Sequence, residues 1–186
     1  ERIHRENAPV IVIEPYIIAM EDNDNKGKTL KAASIAEAII NTIAPLENVK
    51  RSQEARFRQL HRVLKDSSNA GYSHVLVIEE AHSLPLPTLK HLKRFFELEH
   101  GFKKLLSIVL IGQPELAMKL SERNQEVREV VQRCEVVELL PLDTELERFL
   151  KFKFERAGKP ITDVLDNTAV DAIRARLSNN IGGRRG

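Results

Sequence analysis

Val75-Leu76-Val77-Ile78-Glu79-Glu80-Ala81-His82 runs from four apolar residues into two acids and then Ala-His. Strand alternation puts Val75, Val77 and Glu79 on one face and Leu76, Ile78 and Glu80 on the other. A short run that is apolar on both faces is the signature of a buried strand in a parallel sheet. The two acids then emerge only at its carboxyl edge, where open parallel sheets bind ligands. One acid there can hold Mg²⁺ through water, and its neighbour can orient an attacking water beside a nucleotide's terminal phosphate. The same letters also fit a strand that ends in two solvated acids before a turn, so the acid pair alone does not choose between them.

On the amino side, Val10-Ile11-Val12-Ile13 reads as another buried strand, followed by Glu14-Pro15 and a polar loop from Glu21 to Lys26. Leu30, Ala33, Ile35, Ala36, Ile39, Ile40 and Ile43 recur at helical spacing and predict a helix from Thr29 to Ile43. A second helix is expected from Ser52 to Leu64, with Phe57, Leu60, Val63 and Leu64 inward and a basic outer surface. On the carboxyl side, a helix opening at Pro87 or Thr88 is predicted to reach Glu99, with Gly101 ending it. Leu105 to Ile111 reads as a strand closed by Gly112-Gln113-Pro114-Glu115. Short helices are expected at Leu116–Leu120 and Glu126–Arg133, then a strand over Cys134 to Leu139. Beyond Pro141 only helices are predicted, at Thr144–Ala157 and Asp166–Leu177. Strands alternating with helices imply an α/β fold, a parallel sheet with helices on both faces. Residues 1–142 would form this core and 143–186 part of a small helical lid.

Composition narrows the function classes. The chain has 186 residues, 42% hydrophobic and 30% charged, which is globular rather than disordered. The Val10 to Met20 run is broken by Glu14 and Pro15, so no segment is apolar for the ~18 residues a membrane span needs. The first five residues, Glu1 to Arg5, do not begin a signal peptide. Cys134 is the single cysteine, which excludes an internal disulfide or Cys-based zinc site and fits a reducing cytoplasm. With 29 basic and 27 acidic residues, the net charge of +2 does not announce nucleic acid by bulk charge.

Taken together, Val75 to His82, the following Ser83-Leu84-Pro85, the strand ending Ile111-Gly112-Gln113-Pro114-Glu115-Leu116 and Gln132-Arg133 resemble one branch of the AAA+ P-loop ATPases. That branch includes the general-secretion ATPase and the target-selecting ATPases of DNA transposons, such as that of phage Mu. The resemblance runs from about Pro9 to Gly158. It implies a RecA-like core that binds and hydrolyses ATP with Mg²⁺ in a ring or helical oligomer. By resemblance, Val75 to His82 is the Walker B element. Glu79 stands where the family usually has the Mg²⁺-linked Asp, and Glu80 is the glutamate that polarises water. Gln113 is the polar sensor of the γ-phosphate, and Arg133, with Arg128 as competitor, is the arginine reaching a neighbouring subunit's nucleotide. The resemblance also implies that Val75–Ile78 lies between Val10–Ile13 and Ser107–Ile111, all parallel. Cys134–Leu139 should stand one strand further out, beyond a phosphate-loop strand.

Gly27-Lys28-Thr29 resembles the end of a phosphate loop, but G-x-x-x-x-G-K-[ST] needs Gly where Asp22 stands. Glu21, Asp22 and Asp24 would repel phosphate, and one glycine is too few for an anion nest. The reading therefore expects the Walker A element upstream of Glu1. Lys90, Lys93 and Arg94 share one helix face by their i, i+3, i+4 spacing. This is either a stripe for DNA phosphates, with a transposase as further partner, or a solvated surface. Arg184-Arg185 are candidates for the lid's sensor arginine, or a boundary artefact. Three readings follow. They are a transposition-type ATPase, a secretion-type ATPase acting at a membrane, and a non-catalytic interaction module on an ATPase-like fold.

Overall fold

The computed structural model describes residues 6–15, 30–121 and 127–181. Strands β1 (Val10–Ile13), β2 (Ser73–Ile78) and β5 (Ser107–Leu110) form a parallel sheet in the order β1-β2-β5. Val12 pairs with Val75 and Val77 with Val109, so β2 is central, as the resemblance implied. Helices α1 (Ala32–Ile43), α2 (Gln53–Asn69) and α3 (Leu86–Phe96) connect and flank the strands. The architecture is α/β with a parallel sheet, as expected.

One sheet face carries the core. Ile13, Leu76 and Ile78 are fully buried and join Ile35, Ile39 and Ile40 of α1, Leu60 and Leu64 of α2, and Leu89, Leu92 and Phe95 of α3 in a single cluster. Each such side chain contributes about 1.5–3 kcal/mol of burial. The other face, with Val75 and Val77 half-buried and Val109 exposed, is covered less than the expected two-sided packing requires.

Helix α2 begins at an N-cap, Ser52, whose hydroxyl accepts from the Ala55 amide at 3.2 Å. It continues five residues beyond the expected Leu64. The apolar stripe stops there, but backbone hydrogen bonds need no apolar side chain. Gly71, at φ +96°, then turns the chain into β2.

Helix α3 stops at Phe96, short of the expected Glu99. Glu99–His100 (β3) and Lys103–Lys104 (β4) form an antiparallel hairpin instead. Gly101, expected to end the helix, is the first turn residue of this hairpin, at φ +62°. His61 Nε2 contacts the Glu99 carbonyl at 2.9 Å and ties the hairpin to α2.

The expected strand at Cys134–Leu139 is absent. These residues have no regular structure, and Val136 and Leu139 are 66% and 88% exposed. Apolar alternation makes a strand only where a neighbouring edge offers hydrogen bonds. Among the described residues nothing pairs with the second edge of β5. Helices α4 (Pro114–Lys119) and α5 (Arg128–Val131) complete this part of the chain.

The chain divides into two compact units, residues 1–136 and 137–186. The second holds α6 (Leu146–Arg156) and α7 (Asn167–Ile181). Gly158, at φ +75°, ends the turn after α6. The Asp166 carboxylate accepts from the Thr168 hydroxyl and the Ala169 amide, both at 2.7 Å, and these bonds hold it below the usual carboxylate range.

His74 was not singled out by the sequence, yet it is a buried polar joint. Its Nδ1–H donates to the Leu105 carbonyl at 2.9 Å, and the Ser67 hydroxyl donates to Nε2 at 2.8 Å. Burial pushes the imidazole below its usual range; the Leu105 bond opposes this, and the Lys103 charge adds to it. The folded state therefore holds the ring neutral, while the unfolded chain takes a proton near pH 6.5. This contribution is present above about pH 6.5 and is lost as pH falls below it. The urea midpoint should be lower at pH 5.5 than at pH 7.5, and His74→Gln should flatten that difference. An equal pH dependence in both proteins would remove His74 as its source.

Candidate functional site at the carboxyl edge of the sheet

Strand β2 ends at Ile78, and the chain turns sharply through Glu79 and Glu80. Glu80 adopts a left-handed conformation, φ 49° and ψ 32°. For a residue with a Cβ this costs about 1–3 kcal/mol and is held only by its surroundings. Those surroundings are specific. The Glu80 carbonyl accepts from the Ser83 amide at 3.0 Å and the Ser83 hydroxyl at 2.7 Å. The Ala81 amide donates to the Ile111 carbonyl at 2.8 Å, and the Ile111 amide to the Ile78 carbonyl at 2.9 Å. These bonds carry the β2–β5 pairing past the strand ends and staple the acidic turn to the segment leading to Gln113.

Gly112 allows this close approach. A Cβ there would stand 3.0 Å from the His82 amide nitrogen and 3.1 Å from Leu116 Cδ2. Lys119, at the end of α4, donates to the carbonyls of His82 and Leu84 and holds the turn from its other side. Neither Gly112 nor Lys119 was singled out as a site residue. A glycine after an apolar strand is a visible signal, whereas nothing in the sequence pairs Lys119 with the carbonyl of His82.

The structure brings Glu79, Glu80 and Gln113 to one edge. Both acids are exposed beyond β2, and Gln113 precedes α4 across from them. The Gln113 amide approaches His82 Nδ1 at 3.4 Å, and the same nitrogen lies 3.6 Å from Glu80 Oε2.

Arg133 is not part of this group. Its guanidinium donates to the Glu129 carbonyl at 2.7 Å and lies 3.4 Å from Glu97 Oε1. Glu97 precedes Leu98, whose carbonyl accepts from Leu105 just before β5. That is the amino end of the sheet, opposite Glu80. Lys93 belongs to the same ion cluster, bonded to Glu129 and 3.7 Å from Glu97. The Lys93 bond holds the Glu129 carboxyl below its usual range. Lys90 and Arg94 are exposed. Lys93 is thus already engaged within this stripe. Gly27-Lys28-Thr29 and Arg184-Arg185 lie outside the described residues.

Glu79 and Glu80 supply hard carboxylate oxygens at an accessible edge, the donor chemistry Mg²⁺ prefers. Among the described residues no group of three His, Cys, Asp or Glu side chains could cage a metal ion. A magnesium ion that keeps most of its waters and binds substrate phosphates does not need such a cage.

A family model described as an AAA domain matches residues 4–120, more than half of the chain and all three strands of the parallel sheet. The chain belongs to the AAA-domain family. Ninety-one residues of this AAA domain protein, 48% of its length, are 37% identical to general secretion pathway protein A of Aeromonas hydrophila. The chain aligns with only 16% of that protein's length. No solved structure matches the AAA domain chain. Among its described residues no helix is long and apolar enough to cross a membrane.

Proposed function

We propose that this AAA domain binds ATP with Mg²⁺ and hydrolyses it at the edge formed by Glu79, Glu80 and Gln113. The observation that carries the reading is the convergence of those three residues at the carboxyl end of a parallel sheet. Glu79 would hold Mg²⁺ through water, and Glu80 would take the proton-accepting, water-orienting role. Gln113 would offer its side-chain amide to the terminal phosphate. Bound Mg²⁺ would supply neutralisation of the phosphate charge. The phosphate-binding strand belongs, on this reading, against the unpaired edge of β5. The row of backbone N–H and C=O groups along that edge, and the thinly covered face around Val77 and Val109, call for a partner. Mg²⁺-dependent ATP turnover by the full-length protein tests this directly, and its absence would sink the reading.

The arrangement also supports function in an oligomer. Arg133 is 39% exposed, and surface pairs such as Arg133–Glu97 are worth about 0–1 kcal/mol. A neighbouring subunit's nucleotide could outcompete that pair, so Arg133 would serve in trans.

The likeness to a general secretion pathway protein supports a secretion-type ATPase. A second reading, regulation of DNA transposition with double-stranded DNA and a transposase as partners, is favoured by the outward Lys90 and Arg94 beside Lys93. If this face binds DNA, replacing all three residues with Ala should weaken duplex binding alike for every sequence. The salt slope should flatten by about 0.9 per lost phosphate contact. An unchanged slope, with turnover indifferent to DNA, would leave the secretion-type reading.

A further inference from the structure

The ring of His82 stands between the two arms of the site, and its role goes beyond the ATPase reading on which this inference rests. The His82 side chain is 15% exposed, enclosed at an edge where its neighbour Glu80 is 61% exposed. One ring atom, Nδ1, faces two groups. The Gln113 backbone N–H points at it from 3.4 Å, and Glu80 Oε2 lies 3.6 Å away. A neutral imidazole with its proton on Nε2 can accept the Gln113 N–H but offers nothing to the carboxylate. With the proton on Nδ1, the ring can donate to Glu80 but no longer accept from Gln113. A single nitrogen cannot do both. Both distances are long; the Gln113 N–H is aligned as a weak hydrogen bond to the ring, and the Glu80 carboxylate stands just beyond hydrogen-bond reach. Contacts of this kind tighten when a site fills.

The backbone around the ring is held while the ring is shared. Lys119 binds the His82 carbonyl, Gly112 leaves space for the His82 amide, and Ala81 is bonded to Ile111. A shift of the Gln113 backbone is therefore felt at Nδ1 rather than absorbed by the turn. We propose that His82 is a positioning residue that couples Gln113 to the orientation of the Glu80 carboxylate. Movement of the Gln113 N–H away from Nδ1 frees that nitrogen to take a proton from water while Nε2 gives its own proton up to water, and the new Nδ1–H anchors Glu80. Return of the N–H releases it. His82 touches neither substrate nor reacting atoms in this scheme.

The test compares full-length wild type with His82→Leu, His82→Asn, His82→Gln and Glu80→Gln in Mg²⁺–ATP turnover. Thermal melting of each protein is measured alongside. His82→Leu should lower kcat about 10- to 100-fold, the cost of a misplaced reacting group, with KM within about twofold. His82→Asn puts an amide near the position of Nδ1, can rotate to accept or donate there, and should restore most of the rate. His82→Gln carries its amide out toward Nε2 and should not. If the Leu variant fails to fold, the contrast between Asn and Gln decides. Equal rates for Asn and Gln, or a Leu variant with wild-type kcat, overturn the coupling while Glu80→Gln still abolishes turnover. If Glu80→Gln is itself active, the assignment of the catalytic edge is wrong, and the role of His82 falls with it.

Discussion

Glu80→Gln in the full-length protein should retain ATP binding and lose turnover by about 10²–10⁴-fold. The amide is nearly isosteric with the carboxylate, so the turn held by Ser83, Ile111 and Lys119 has no reason to rearrange. It cannot accept a proton from water, and that is the function assigned to this position. Its neighbour Glu79 keeps its charge, so the metal-binding capacity of the edge survives. The measurement is steady-state ATP turnover beside nucleotide binding on the same preparation. Turnover within about threefold of wild type would remove Glu80 from the chemistry. Loss of binding together with turnover would instead make it a nucleotide ligand.

Gly112→Val should impair stability and turnover together. Even a single Cβ at this position meets the His82 amide nitrogen at 3.0 Å and Leu116 at 3.1–3.2 Å. The neighbour on one side is backbone and on the other a buried side chain at the start of α4, so neither gives way freely. Valine adds two further methyl groups to the same gap. Overpacking of this kind costs about 1–3 kcal/mol. It also pries the acidic turn from the segment carrying Gln113, which should reduce turnover beyond what the stability loss explains. Chemical denaturation and turnover of the soluble variant check both parts. A variant as stable and active as wild type would mean that the close approach at Gly112 does not hold the acidic turn.

The parallel α/β class and the carboxyl-edge location of Glu79 and Glu80 could be read from local patterns, whereas the order of β1, β2 and β5 and the place of Gln113 beside the acids were what the resemblance to the AAA+ ATPases implied. Four-residue apolar runs separated by helical stripes can be satisfied in few ways, and a buried strand forces its terminal acids to one end. The hairpin at Glu99–Lys104 could not be read. Gly101 suits a helix end and a tight turn equally, and only the pairing of His100 with Lys103 chooses. Cys134–Leu139 failed for the converse reason: its apolar residues fit a strand, but pairing depends on an edge that local sequence does not describe. The grouping of Lys90, Lys93 and Arg94 followed from helical spacing, yet Glu97, just past the end of the same helix, and Glu129, 36 residues away, engage Lys93. The distant partners of His82, Gln113 and Lys119, are likewise brought in by strand pairing. Periodicity and strand-end chemistry are properties of neighbouring residues, so the sequence by itself determined the fold class and the acidic edge. The Lys93–Glu129 ion pair and the position of one imidazole are contacts between residues 31 to 37 apart, the hairpin and the Cys134–Leu139 segment depend on which backbone edges meet, and only the tertiary structure decided them.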